Sequence, residues 1–150
     1  MDQPIEKILS ILEKASEGAL GTIDENKPFV SAAGFIFLKE KNASKLGGGI
    51  YVLLSDLARH TRHLKKNPEA SLLIMDNQSG LPVYERKRFT LEGVMSKVEN
   101  PEGRAKLKAK YLEVFPRSEI FFTLPDFHFY QLEVREIYWV GGFGKIATLK

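Results

Sequence analysis

The chain contains no cysteine, and only three histidines, one tryptophan and three methionines. Without cysteine there is no disulfide framework, no thiolate metal site and no cysteine nucleophile. No apolar run approaches the roughly 18 residues that a membrane helix requires. The start, MDQPIEKILS, puts acids where a secretory leader carries cations ahead of a long apolar stretch. A cytoplasmic protein without a membrane partner is therefore expected. Surplus charge is missing too. The 22 Lys and Arg against 19 Asp and Glu leave +3, short of the cationic density of a nucleic-acid binder. What remains is an ordinary folding composition, 43% hydrophobic and 27% charged over 150 residues. That length suits a single domain, residues 1–150, with a core of its own.

Residues 3–17 have the spacing of an amphipathic helix, with Ile5, Ile8, Leu9, Leu12 and Ala15 on one face. Pro4 suits its first turn and Gly18 the position past its end. Ala19–Ile23, a turn at Asp24–Pro28 and Phe29–Leu38 read as a hairpin. A polar, glycine-rich loop at 39–49 leads to a strand at 50–54. Next come a short helix from Ser55 to Asn67, stopped by Pro68, and a strand at Ala70–Met75. Two long runs of strand composition, 84–98 and 126–140, flank a helix at 101–114 with Asn100 as its N-cap and Pro101 as its first residue. About six strands with helices between them predict a mainly β fold, an antiparallel barrel with flanking helices.

The stretch SDLARHTRHLKKNP, residues 55–68, concentrates cations: Arg59, Arg62, Lys65 and Lys66, with His60 and His63 and no acid among them. Lys65 and Lys66 suit a helix C-terminus. Arg59 and His60 sit at the opposite end, where the macrodipole disfavours cations. Free backbone N–H groups, the Ser55 hydroxyl and an arginine fork make a phosphate cradle there; a solvated basic face is the plainer reading. His60 and His63 stand three residues apart with no third ligand nearby, so no metal site is expected. Arg86 and Arg88 share a side of their strand, which suits either an edge guarded by charge or ligand contacts. RAKLKAKYLEVF, at 104–115, reads as a solvated helix face. GGG at 47–49 lacks the GK[ST] ending of a phosphate loop, and GGFG at 141–144 lacks a strand–GxGxxG–helix context. No Ser–His–Asp or paired-carboxylate pattern stands out, so no catalytic residue is nominated. Enzymatic chemistry in this chain would rest on a cofactor.

PFVSAAGFIF followed by GGGIYVLLSDLARHTRHLKKNPEASLLI resembles the core of the FMN-binding split-barrel superfamily, the group of pyridoxamine 5′-phosphate oxidase. LLSDLARHTRHLKKNPEASL, RFTLEGVMSKV and PDFHFYQLEVREIYWVGGFGK resemble its heme-utilisation branch. The resemblance runs from about residue 15 to 147. It implies a six-stranded antiparallel split β-barrel of the FMN-binding type, a homodimer with FMN in a groove between subunits. Such families hold the flavin phosphate with an Arg–Lys pair at the start of the short helix. That pair falls here on Arg59 and His60, a histidine replacing the lysine. Ser55 falls where a hydroxyl meets the flavin or its phosphate, and Arg88 where a polar side chain contacts the cofactor. Ser31, Ala32 and Ala33 fall where backbone approaches the isoalloxazine. Phe143, Ile146 and Leu149 are too apolar for a free tail and are expected to pack on a partner subunit beside the flavin groove. In the heme branch the iron ligand is a histidine downstream of GGFG. The residues after Gly144, KIATLK, contain none, and of the three histidines only His128 lies outside the cationic helix.

Three readings follow. The first is an FMN-dependent oxidoreductase with flavin at a dimer interface acting on a small molecule. The second is a protein that binds or degrades heme. The third is a module for an anionic partner such as nucleic acid. The sequence favours the first.

Overall fold

The hairpin at the start of the sheet turns on two residues, Glu25 and Asn26, both at positive φ. This is the backbone that a two-residue connection needs to match the strand twist. It joins β1 (Glu17–Asp24) to β2 (Lys27–Lys39) in full antiparallel register. The computed structural model describes residues 4–41 and 45–150. Gln3, the first residue of the expected N-terminal helix, and residues 42–44 of the expected loop lie outside them.

Before the hairpin, α1 (Pro4–Leu12) buries Ile8, Ile11 and Leu12. The helix stops well short of residue 17 because the next backbone is claimed by the sheet, where the Phe35 N–H donates to the Ser16 carbonyl at 2.9 Å. The chain continues through β3 (Gly48–Ser55), α2 (Arg59–Lys66), β4 (Glu69–Met75), β5 (Arg88–Lys97), α3 (Pro101–Val114), β6 (Phe127–Val140) and β7 (Ile146–Leu149). A 3-10 segment at Pro116–Thr123 joins α3 to β6. Strand order is β3-β2-β1-β4-β5-β6-β7, and a β3–β6 pairing closes the first six strands into an antiparallel barrel. The fold is thus mainly β: a six-stranded barrel with one outer strand and flanking helices. Where the β5–β6 register shifts between Glu92 and Gly93, leaving Arg135 of β6 as the extra residue, a Cβ on Gly93 would stand 1.8 Å from the Glu133 carbonyl oxygen. Only glycine permits that approach.

Alternation along the strands feeds two cores. Leu20, Phe35, Val52, Leu72, Phe89, Leu91 and Ile137 point into the barrel and meet α1. The outer face of β2, β3 and β6 carries Ile36, Tyr51 and Phe129, covered by Leu107 and Tyr111 of α3. Asn100 caps α3 as expected, its side-chain oxygen accepting from the N–H groups of Glu102 and Gly103 at 2.8 and 3.3 Å.

Three expectations need correction. Residues 84–87 are not strand: Val83–Glu85 is a 3-10 turn. Arg86 and Arg88 turn their guanidinium groups onto the carbonyls of Leu81 and Val83. β5 lies between β4 and β6, so this basic cluster guards no edge. Leu149 packs on the barrel of its own chain, since β7 folds back along β6. Phe143 and Ile146 stay exposed. No helix among the described residues is long and apolar enough to cross a membrane.

Candidate functional site

At one end of the barrel β3 runs out at Ser55. Its hydroxyl donates to Asp126 Oδ2 at 2.7 Å and accepts from the Leu57 N–H at 3.1 Å, so the chain turns sharply out of the sheet. The Asp56 N–H reaches the Asp126 carbonyl at 2.7 Å, one step beyond the β3–β6 ladder. α2 then begins at Arg59. Its N-cap, Ala58, has an extended backbone and no capping side chain, and no acid occupies the first turn. The opening turn therefore keeps unsatisfied N–H groups beside an arginine, the arrangement the macrodipole penalises.

Packing against β1 and β2 distributes the side chains of α2. Thr61, His63 and Leu64 are buried beneath it. His63 Nδ1 lies 3.0 Å from Thr22 Oγ1, and its Nε2 lies 3.8 Å from Asp24 Oδ2. His60 Nδ1 meets Ser31 Oγ at 3.1 Å, while its Nε2 is buried without a partner. Burial holds the His60 imidazole below its usual pKa, and the neighbouring His63 adds to the effect. His60 is consequently neutral at pH 7, a hydrogen-bonding group and not a second cation for phosphate. The Thr61 hydroxyl is also buried without a partner.

A second polar group fastens the helix from the other side. Asp56 Oδ1 pairs with Lys65 Nζ at 3.2 Å and Asp56 Oδ2 with His128 Nε2 at 3.1 Å. Burial works to raise the Asp56 carboxyl, and its Lys65 and His128 partners overcome this, leaving it below its usual range. Each imidazole thus makes at least one hydrogen bond within the fold, and among the described residues no cluster of three metal-binding side chains forms.

A shallow groove of about 410 Å³ runs along the outside of α2, lined by Asp24, Arg59, Arg62, His63, Lys65 and Lys66. Its one carboxylate, Asp24, lies 3.7 Å from Lys66 Nζ, and Lys65 is taken by Asp56. Arg59 lays its guanidinium over the Phe29 ring, 4.2 Å from the centroid. Neither Arg59 nor Arg62 has a carboxylate partner among the described residues.

The chain brings together Arg59, His60, Ser31 and, at the β3 end, Ser55. Ala32 and Ala33 follow Ser31 on β2, with Ala32 on the outer face and Ala33 against the core. Arg88 and Phe143 lie elsewhere. Arg88 pairs with Val140 at the far end of β6, whose first residue, Phe127, pairs with Ser55. Phe143, 87% exposed, tops the β6–β7 turn between Gly142 and Gly144, both at positive φ. Sequence reasoning passed over Phe29 and Asp56. Alternation hints that Phe29 faces the same way as Ser31, but nothing local announces the stacked arginine.

Comparison with known proteins agrees with this architecture. Heme oxygenase HutZ of Vibrio cholerae is 29% identical over 133 residues, covering 84% of this chain and 69% of HutZ. The crystal structure of HutZ, there described as a heme storage protein, superposes with a TM-score of 0.68 at 28% identity over 87% of this chain and 89% of that one. A heme binding protein from Mycobacterium smegmatis gives a TM-score of 0.86 at 27% identity, covering all of this chain and 59% of that one. The chain thus spans about three fifths to two thirds of those two relatives' length. A putative pyridoxamine 5′-phosphate oxidase from Listeria innocua shares the fold, with a TM-score of 0.69 at 18% identity over 93% of this chain and all of that one. The family model of the CREG β-barrel matches residues 9–150, and with the barrel closed as described, the chain belongs to the CREG β-barrel family.

Proposed function

We propose that this protein binds heme, at the α2 end of the barrel. One observation carries the reading: HutZ and the Mycobacterium smegmatis protein, at 27–29% identity, are named for heme, whereas the flavin-type match, at 18%, speaks to fold alone. This reverses the order of the sequence reading, in which FMN came first. The residues present fit an anionic heme. Arg59 and Arg62 offer guanidinium groups without carboxylate partners, and Leu57, in the link before α2, is 78% exposed. Heme supplies an iron able to bind dioxygen. The chain's own part is to hold the porphyrin by its charged edge and its apolar face: His63 and His128 are already engaged, and the one unpartnered ring nitrogen, His60 Nε2, is buried.

A homodimer belongs to the same reading. The outer face of β2, β1, β4, β5 and β6 carries Ala32, Ala19, Leu73, Thr90 and Tyr138 in register, small or apolar residues none of which is fully buried. Pairing through that face would let Arg88 and Phe143 of one copy approach the α2 end of the other.

The test is titration of the purified protein with hemin and, in parallel, with FMN. A saturable Soret change near one equivalent per chain, with no quenching of FMN fluorescence, supports the reading. Saturable FMN binding with only a weak, unsaturable Soret band overturns it in favour of the flavin. Sedimentation at micromolar protein tests the dimer, and a monomer with or without hemin rejects it.

A further inference from the structure

Resting on the heme reading, we infer that Arg59 and Arg62 form a two-guanidinium clamp for the pair of carboxylates on one edge of a planar apolar ligand, and that Phe29 sets the clamp's geometry. The two arginines stand three residues apart on α2, which places them one turn above each other on one face. Their neighbours leave them uncommitted. Lys66 and His63 share Asp24, and Lys65 is held by Asp56. The positive charge left over in the groove is therefore that of the two arginines.

Phe29 explains why Arg59 is poised and not merely exposed. The guanidinium covers the ring face at 4.2 Å. The ring cannot swing away freely, because His63 meets it edge-on at 5.4 Å and 83°, and His63 is itself buried and bonded to Thr22. A stacked guanidinium spends its face on the ring and keeps its N–H donors in plane, directed outward. That is the geometry for forked bonding to a carboxylate. The stacked Arg59 and the unpaired Arg62, a helical turn apart, suit a ligand with two separate anions, whereas a single phosphate monoester needs one fork. An apolar body has somewhere to rest, since Leu57, in the link just before α2, is 78% exposed. Heme, with two propionates on one edge, has this chemistry.

The experiment compares hemin with hemin dimethyl ester, which keeps the porphyrin and iron and loses both charges. Affinities are read from Soret titrations at two salt concentrations. The wild type is expected to bind hemin at least tenfold more tightly than the ester, the scale of charge-assisted bonds to an ionised group. Arg59→Ala and Arg62→Ala should each lower hemin affinity by about tenfold, leave ester affinity unchanged and flatten the salt dependence. Phe29→Leu should cost about three- to fivefold for hemin alone, the scale of an exposed cation–π contact, and Phe29→Tyr should restore it. Thermal melts establish that each variant is folded. Equal affinity for hemin and ester in the wild type overturns the clamp while the heme reading stands. Binding of neither porphyrin removes the heme reading and the clamp with it. A loss in Arg59→Ala with none in Arg62→Ala reduces the site to a single anion contact and rejects the paired clamp.

Discussion

α3 starts where Asn100 caps two backbone N–H groups, with Pro101 in the first turn and Glu102 favoured by the dipole. α2 starts from uncapped Ala58 with an arginine in the first position and orphaned polar atoms on Thr61 and His60. The two helices flank the same barrel and follow opposite rules. α3 also covers an aromatic cluster in which Tyr111, Phe115, Phe122 and Phe129 stand 4.7–6.1 Å apart. α2 covers Thr22, Ser31 and Phe29, a largely polar underside. One helix is built for stability; the other carries unmatched charge on its exposed face that a bound anion would relieve, above polar atoms left unpaired in its buried underside. Local rule-breaking of this kind is where function is found in folded proteins.

The sharpest way to break that contrast is Phe129→Ala. Phe129 is fully buried under α3, and its truncation should cost about 3–5 kcal/mol in urea unfolding while hemin affinity of the folded protein is unchanged. A cost below about 1 kcal/mol would mean that the α3 face is not the stabilising one. Next come the two caps. Asn100→Ala should destabilise by about 1 kcal/mol, whereas Ala58→Ser should stabilise by about 0.5–1 kcal/mol. Equal and opposite shifts in Tm sharpen the comparison, and a destabilised Ala58→Ser would show that α2 is already satisfied. Ala58→Asp carries the same cap with a negative charge, so it should raise Tm and weaken hemin binding together.

Thr61→Val removes a buried, unpartnered hydroxyl at nearly constant volume. A gain of up to about 1 kcal/mol is expected, and a loss would reveal an unseen partner for the hydroxyl. The smallest effect is in pH. With the His60 pKa lowered in the folded state, the unfolded chain binds more protons below about pH 6.5, so stability is full above that value and falls as pH drops through it. His60→Gln should flatten this decline in urea midpoints between pH 5 and 8. An unchanged slope would assign the proton to another group.

Much of the barrel was legible because its signals are local. The hairpin around Asp24–Pro28, the strand at Ala70–Met75 and the capped helix at 101–114 each follow from alternation or from a cap within a few residues. Residues 84–87 misled because strand composition there competes with Pro82 and with two arginines that bind backbone carbonyls. At the candidate site, Arg59 and His60 were visible as cations at the wrong end of a helix. Phe29 was not, because its partner lies 30 residues away in sequence and on another element.

The sequence by itself determined the class of fold, the position of the cationic helix and the absence of thiol chemistry, since composition, period and capping act over short spans. Tertiary structure decided which cations remain available. Asp24, from the β1–β2 hairpin, approaches Lys66, and Asp56, from the end of β3, takes Lys65. Four positive charges that look alike along the chain thereby divide into two that are paired and two that are not. Charge pairing depends on distance in space, and that distance exists only once the barrel has closed.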